Sequence, residues 1–134
     1  MKKLLLLMIL CFSCSTFAQH KLTVTVKGLK NNQGQVAIGV YQGQNNFLKK
    51  LYFGKVVSIK NQEAVVEFDN LPGGEFAVSL FHDENGNGKM DTGWLGIPKE
   101  DYACSNGAKG FMGPPKYADA KFIINENKTI TIKI

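Results

Sequence analysis

The chain has 134 residues, of which 44% are hydrophobic, and its formal net charge is +5 at pH 7. That length suits one domain with a hydrophobic core of its own, and it argues against a miniature scaffold held together by disulfides. Apart from histidine, every basic side chain is a lysine, and the lysines are dispersed along the chain. Because arginine is the side chain best suited to guanine edges and phosphates, this composition argues against a nucleic-acid partner.

The first 18 residues have the features of a secretory signal peptide. Two lysines precede an apolar run from Leu4 to Phe12, and small and polar residues lead to Ala18. The run is shorter than the roughly 20 residues of a membrane-spanning helix. We therefore predict cleavage near Ala18, export to the periplasm or beyond, and no transmembrane segment. Acylation of Cys14 would instead make the protein a lipoprotein, but the residues before Cys14 match that motif poorly.

Cleavage would leave residues 19–134 as a single domain. Its 14 lysines and 11 acidic residues give a net charge of +3, which is mild. Its one cysteine is Cys104, and a lone thiol cannot form an intramolecular disulfide. We therefore expect the stability of the domain to come from packing, with a bound ion as a further contribution.

Strict alternation of apolar and polar residues dominates this domain, and it predicts half-buried strands. Only 45–53 has a helix-like spacing, which indicates one short turn or a connecting loop. No strand is predicted in 83–119, a long segment rich in glycine, proline and aromatic residues. We predict an all-β, seven-stranded antiparallel sandwich of immunoglobulin-like or transthyretin-like (prealbumin-like) type, with this one long loop. The predicted strands are 21–29, 35–42, 55–60, 63–69, 75–82, 121–125 and 128–134.

The stretch DENGNGKMD, directly after the fifth predicted strand, matches the first half of an EF-hand calcium loop. With Asp83 as position one, oxygen-bearing side chains stand at positions three, five and nine, and Gly88 stands at position six, where a sharp turn is needed. Position twelve, a bidentate glutamate in EF-hands, is Trp94, so the shell is incomplete. The candidate ligands are Asp83, Asn85, Asn87, the backbone carbonyl of Lys89, and Asp91.

A later carboxylate or carbonyl would have to close this half shell; Asp91 is the nearest candidate, and Glu84, Glu100 and Asp101 are the others. With only two carboxylates in the loop itself, we expect a weak structural Ca²⁺ site with a Kd on the order of 10⁻⁴–10⁻³ M. The alternative is a tight turn without metal, since Asn-Gly is a strong turn signal by itself.

The aromatic residues of the long segment are candidates for binding an unidentified protein or carbohydrate ligand, because aromatic faces stack on sugars and clasp peptides. The alternative is that they pack the long loop onto the core. The candidate ligand-binding residues are His82, Trp94, Tyr102, Phe111 and Tyr117.

A hydrolase that uses His82 with Ser105 or Cys104 is the alternative function. Such an enzyme needs a nucleophile beside a base, and no local catalytic motif is present. We therefore predict a non-enzymatic domain that serves in binding or in envelope structure.

Four separate motifs occur along the chain in this order: LPGGEFAVSLFHDENGNGKMD, GWLGIP, EDYACSNGA and MGPPKYADAKF. Together they resemble the secreted bacterial family known as domain of unknown function 2141, over residues 22–134. The resemblance implies an exported immunoglobulin-like or transthyretin-like sandwich, with no activity attached to the family. It also implies that HDENGNGKMD is a family signature. Cys104 stands where the family tends to have phenylalanine, which implies packing rather than reactivity.

Overall fold

The computed structural model describes residues 18–134 of the chain. The predicted signal peptide, apart from Ala18, and the alternative acylation site Cys14 lie outside these residues, so both stay predictions. Among the described residues, no helix is long and apolar enough to cross a membrane.

Residues 18–134 form eight strands, and each of the seven predicted segments overlaps one of them, with ends that differ by up to three residues. The sequence does not predict β6, because three residues are too few to show an alternating pattern. Residues 43–50 form hydrogen-bonded turns, such as Phe47 N to Gly43 O at 3.1 Å, which agrees with the short turn expected there. The strands are β1 Gln19–Lys27, β2 Gln35–Tyr41, β3 Phe53–Ser58, β4 Ala64–Pro72, β5 Gly74–Asp83, β6 Tyr102–Cys104, β7 Phe122–Ile124 and β8 Lys128–Lys133; the helical turns are Trp94–Gly96, Ser105–Gly107 and α1 Tyr117–Ala120.

The strands make two sheets. One has the order β4-β1-β8, and the other has the order β3-β2-β5-β6, with β7 paired to the start of β5. All pairs of named strands are antiparallel except β1 with β8, which run parallel from Leu22 beside Lys128 to Lys27 beside Lys133. The prediction of a purely antiparallel architecture is therefore wrong at this pair. Side chains alternate in the same way in parallel and antiparallel strands, so the pattern carries no information about direction.

The two sheets share one hydrophobic core, built from the inward positions that the alternation predicts. In β5, for example, Phe76, Val78 and Leu80 face this core. Each large side chain that is fully buried in this way contributes roughly 1.5–3 kcal/mol. The buried members are Leu22, Val24, Val26, Leu29, Val36, Ile38, Val40, Ala64, Val66, Phe68, Leu71, Phe76, Val78, Leu80, Ile124 and Ile132.

A second, smaller cluster covers part of the opposite face of the five-stranded sheet. Ala77 belongs to it, and successive residues of a strand point to opposite faces, so this cluster lies on the outer side of β5. Its other members come from the 43–50 turns, from the end of β6 and from the segment that follows β6. They are Phe47, Cys104, Ala108, Tyr117 and Ala120. The long segment is thus laid over the outer face of the sheet, which forms the surroundings of the candidate site.

Candidate functional site

Asp83, the last residue of β5, starts the loop and organises it. Its carboxylate is fully buried and accepts hydrogen bonds from Gln35 Nε2 at 2.9 Å and from the backbone N–H of Gly88 at 2.8 Å. The backbone N–H of Asn87 donates to its other oxygen at 3.2 Å. Gly88 adopts φ +76°, a left-handed conformation that favours glycine and lets the chain turn back on the carboxylate. Asp83 therefore acts as the anchor around which the turn closes.

The two loop asparagines converge on Asp91. Asn85 Nδ2 donates to Asp91 Oδ2 at 2.5 Å, and Asn87 Nδ2 donates to Asp91 Oδ1 at 2.8 Å. The Oδ1 atoms of the same asparagines accept from the backbone N–H groups of Asn87 and Lys89, at 3.2 and 2.9 Å. Three of the predicted ligand side chains therefore meet at one point of the loop.

Glu100 is the carboxylate that returns to close the loop. It is buried, and it accepts from the backbone N–H of Glu84 at 2.9 Å and from that of Asp91 at 2.8 Å. Glu84 and Asp101, two other candidates for closing the loop, instead pair with Lys30. The Lys30 Nζ lies 3.2 Å from the Glu84 carboxylate and 3.6 Å from that of Asp101. Glu100 closes the loop through backbone donors, which the spacing of the sequence could not show.

The loop satisfies its own polar groups in this arrangement. Asp83 and Glu100 both accept hydrogen bonds from backbone N–H groups, and Asp91 accepts from two amides. In the part of the chain that the structure describes, no group of three His, Cys, Asp or Glu residues could hold a metal ion. A cation at this place would have to use the asparagine oxygens beside the Asp91 carboxylate.

The pKa of two loop carboxyls lies below its ordinary value. For Asp83, burial by itself raises the pKa, but hydrogen bonds from Gln35 and from the backbone of residues 88, 87 and 86 together lower it. For Glu84, the hydrogen bond from Asn31 and the pairing with Lys30 lower the pKa. Both groups are therefore held as carboxylates at neutral pH.

The structure does not bring His82 together with either nucleophile of the hydrolase alternative. The His82 ring is fully buried, with Nε2 at 2.6 Å from the Gln33 carbonyl and Nδ1 without a partner among residues 18–134. Ser105 Oγ lies beside Val78 N at 3.0 Å, four residues away along β5, a distance of roughly 13 Å at strand spacing. Cys104 lies in the outer cluster, where burial raises the pKa of its thiol and a hydrogen bond with Ser79 lowers it to a smaller extent.

Two of the predicted ligand-binding residues lie in the interior. Tyr117 is buried in the outer cluster, where its ring packs on Phe47 at a centroid distance of 5.7 Å and its hydroxyl accepts from Gly43 N at 3.2 Å. His82 is buried as described above. For these two residues burial overturns the expectation of a surface role, because a ligand cannot reach them without displacing the core. The alternation of apolar and polar residues does not show whether a residue at the end of a strand is covered by a loop or exposed to solvent.

The other three predicted ligand-binding residues lie at the surface. Trp94 is 85% exposed, Phe111 is 92% exposed and Tyr102 is 43% exposed. Leu95, Ile97 and Met112, which the sequence did not single out, are also mostly exposed. Of these exposed residues, Leu95, Ile97, Tyr102 and Met112 line one cavity. Exposed apolar residues that lie together mark interaction sites in soluble proteins.

A cavity of about 550 Å³, here named the loop cavity, lies where the two parts of the long segment face the outer side of β5 and β6. Of the predicted ligand-binding residues, only Tyr102 lines it. Most of the other residues that line the cavity lie in the long segment, where the apolar residues have no periodicity. The sequence therefore does not single them out. None of the described residues that line the loop cavity is charged. They are Leu48, Ser79, Met90, Leu95, Gly96, Ile97, Pro98, Tyr102, Cys104, Met112, Gly113, Pro114 and Pro115.

Comparison with known proteins yields a family and no described relative. Neither a curated protein nor a solved structure matches the chain. One family model matches residues 24–133, which is most of the chain. The chain therefore belongs to the family described as "Uncharacterized protein conserved in bacteria (DUF2141)".

Proposed function

We propose that the chain is an exported, non-enzymatic β-sandwich domain of immunoglobulin-like or transthyretin-like type that binds an apolar part of a ligand in the loop cavity. The observation that carries this proposal is the cavity itself, about 550 Å³ in volume. That volume lies in the range of small-molecule sites, roughly 300–1,000 Å³. A purely structural role in the envelope is the alternative, and it needs no cavity.

The lining of the loop cavity determines the chemistry of the ligand. Its side chains are mainly aliphatic, and the hydroxyls of Ser79 and Tyr102 are the main side-chain hydrogen-bonding groups. A carbohydrate needs several well-placed hydrogen-bonding partners, whereas the binding of an apolar group is driven by the removal of its surface from water. An apolar group of a small molecule or of a protein therefore fits better than a sugar.

The walls combine rigid and adaptable side chains. Pro98, Pro114 and Pro115 restrict the backbone on two sides of the loop cavity, which lowers the entropic cost of ordering a bound complex. Met90 and Met112 are flexible and polarizable, so they can adapt to the shape of an apolar guest. These properties suit a binding site that is largely formed before the ligand arrives.

The test is saturable binding of 1-anilinonaphthalene-8-sulfonate, a dye with an apolar ring system and a sulfonate group, followed by its fluorescence. Ile97→Asp places a charge on the cavity wall at an exposed position, so it should weaken binding at least about tenfold, since desolvating a charge against an apolar group is costly. Val65→Asp is the matched control, because Val65 is similarly exposed on the other sheet. The proposal fails if the wild type binds no dye, or if both variants weaken binding equally. Melting curves verify that both variants are folded.

A weak Ca²⁺ site at the loop is a second proposal, supported by the convergence of Asn85 and Asn87 on Asp91. The oxygen and nitrogen of an amide have nearly the same shape, so each side chain can turn its oxygen toward Asp91. Two amide oxygens and a carboxylate then meet at one point, and these are ligands that Ca²⁺ prefers. The turn would give up two hydrogen bonds to backbone N–H groups, which is consistent with weak affinity.

Thermal unfolding in millimolar Ca²⁺ and in EDTA tests this second proposal. At ten times the Kd, binding to the native state alone stabilises it by about 1.4 kcal/mol, so Ca²⁺ should raise the melting temperature. Asp91→Asn should remove the response, and Asp119→Asn, at an exposed position in α1, should keep it. Identical wild-type melting curves in Ca²⁺ and EDTA would rule the site out.

A further inference from the structure

Four small residues of the five-stranded sheet form a row across its outer face. The strand register places Gly54 beside Gly39, Gly39 beside Ser79, and Ser79 beside Cys104. These positions face outward, because the neighbouring residues in β2 and β5 face the main core. Four adjoining strands therefore present small side chains along one line that runs perpendicular to the strands.

Larger side chains stand on both sides of this row. On one side the register places Phe81 beside Tyr102, and the small Ala37 lies between Phe81 and Val56. On the other side Leu51 and Tyr41 pack directly onto Gly39, which is buried beneath them, since a Cβ built there would lie 2.6 Å from Leu51 Cδ2 and 2.9 Å from Tyr41 Cε2. These two side chains therefore form one wall and cover the floor at this point. The row is thus the floor of a trough with apolar and aromatic walls.

A second cavity, of about 430 Å³, lies over the β3 end of this floor, and it shares Ser79 with the loop cavity. The two cavities therefore follow one another along the row. Four strands spaced about 4.8 Å apart span roughly 14 Å from the first to the last. The trough is accordingly elongated, and a compact ring would fill only one of its two halves.

The trough offers no charge to a bound molecule. Among the described residues that line the two cavities, the only charged one is Lys55. Its Nζ donates to the Glu67 carbonyl at 2.5 Å and lies 5.4 Å from the centroid of the Phe68 ring in the main core. The ammonium group therefore points away from the trough, toward the other sheet.

We infer that the trough binds the unbranched aliphatic chain of a free amphiphilic small molecule, with the chain lying across the strands from the loop cavity into the second cavity. This inference rests on the proposed function and specifies its ligand. An extended chain matches the length of the trough, needs no hydrogen bonds along it, and fits above a row of small residues. The polar end of the molecule stays outside the apolar part of the trough.

A series of straight-chain alcohols, from about four to about twelve carbons, tests the inference. Trp94 is the only tryptophan of the protein and is adjacent to Leu95 in the cavity wall, so its fluorescence can report binding. In the wild type, each added methylene should raise the affinity about fourfold, the factor that corresponds to burying one CH₂ group, until the trough is full.

Ala37→Leu fills the second cavity and should end this rise at a shorter chain, while the shortest alcohols bind as they do to the wild type. Gly54→Val is a second variant at the same end, where an added Cβ meets the flexible Leu51 side chain, with Cδ1 at 3.0 Å and Cδ2 at 3.8 Å, and the Ile38 carbonyl at 3.8 Å. Thr131→Leu adds the same side chain at an exposed position of the other sheet and should change nothing.

The outcomes separate this inference from the proposed function. If both trough variants bind the longest alcohols as tightly as the wild type while the dye still binds, the trough assignment is overturned and the loop cavity stands. Equal affinity for cyclic and straight-chain alcohols of the same carbon number would also overturn it. If neither the alcohols nor the dye bind to the wild type, the proposed function fails as well.

Discussion

Asp83 shows how one residue can connect the end of a strand with the geometry of a loop. A buried carboxylate is costly unless it is hydrogen-bonded, and here three donors offset that cost. Hydrogen bonds to a charged group contribute about 1.5–3 kcal/mol each, more than those between neutral groups. The sequence identifies the residue as the start of the turn, and the fold places Gln35 of β2 beside it as the third donor.

The lowered pKa of Asp83 makes stability depend on pH, with a sign that can be derived. The folded protein binds the proton less readily than unfolded aspartate, whose ordinary pKa is 3.8. The contribution of Asp83 to stability is therefore fully present above that value and is lost as the pH falls through the lower pKa of the folded state. Asp83→Asn should lower the free energy of unfolding at pH 7 by about 1–3 kcal/mol. It should also flatten the decline in stability as the pH falls below about 4.

Urea unfolding at a series of pH values provides the measurement. Asp69→Asn, at an exposed position whose carboxylate lies 3.8 Å from Lys21 Nζ, serves as the control and should change the free energy of unfolding by no more than about 1 kcal/mol. Equal pH dependence in the wild type and Asp83→Asn would show that the hydrogen bonds to this carboxylate do not stabilise the fold.

At the scale of elements, the segment after β6 is attached to the sheet through Ser105. This side chain is buried, and its Oγ accepts from Val78 N at 3.0 Å and donates to the Ala120 carbonyl at 2.5 Å. One hydroxyl thus joins β5, the turn after β6, and α1. Its position between a strand and a helix end explains its burial without any catalytic role.

Ser105→Ala should destabilise the protein by about 1–3 kcal/mol, because a buried N–H and a buried carbonyl lose their partner. Ser58→Ala, at an exposed position of β3, is the matched control and should change stability by less than about 0.5 kcal/mol. Chemical denaturation gives both values. Similar small effects from the two substitutions would mean that water replaces the hydroxyl, and that the attachment is weaker than the distances imply.

At the scale of the whole molecule, the parallel pairing of β1 with β8 lets the last strand complete the three-stranded sheet. Ile132 of β8 joins the main core, which also contains residues of β2 and β5 from the other sheet. β1, β2 and β5 each have a strand on both sides, whereas β3 is an edge strand with mostly exposed side chains. Stability should therefore be greatest in the middle of both sheets.

Amide hydrogen exchange should follow this arrangement. The slowest amides should lie in β1, β2 and β5, where exchange requires global unfolding, and those of residues 84–99 should exchange by local opening at much lower free energy. Mass spectrometry or NMR can rank the segments. Slow exchange throughout 84–99, comparable with that of β5, would contradict the view that the loop is held by its few polar anchors.

Local chemistry in the sequence determined the strand positions, the inward faces of β1, β2 and β5, and the turn that begins at Asp83. Alternating side chains and Asn-Gly pairs act over a few residues, so a short stretch carries that information. Tertiary structure alone decided the direction of β8, the return of Glu100, the burial of His82 and Tyr117, and the row of small residues across four strands. Each of these depends on which distant segments lie side by side, and a period of two residues is the same for every partner, direction and register.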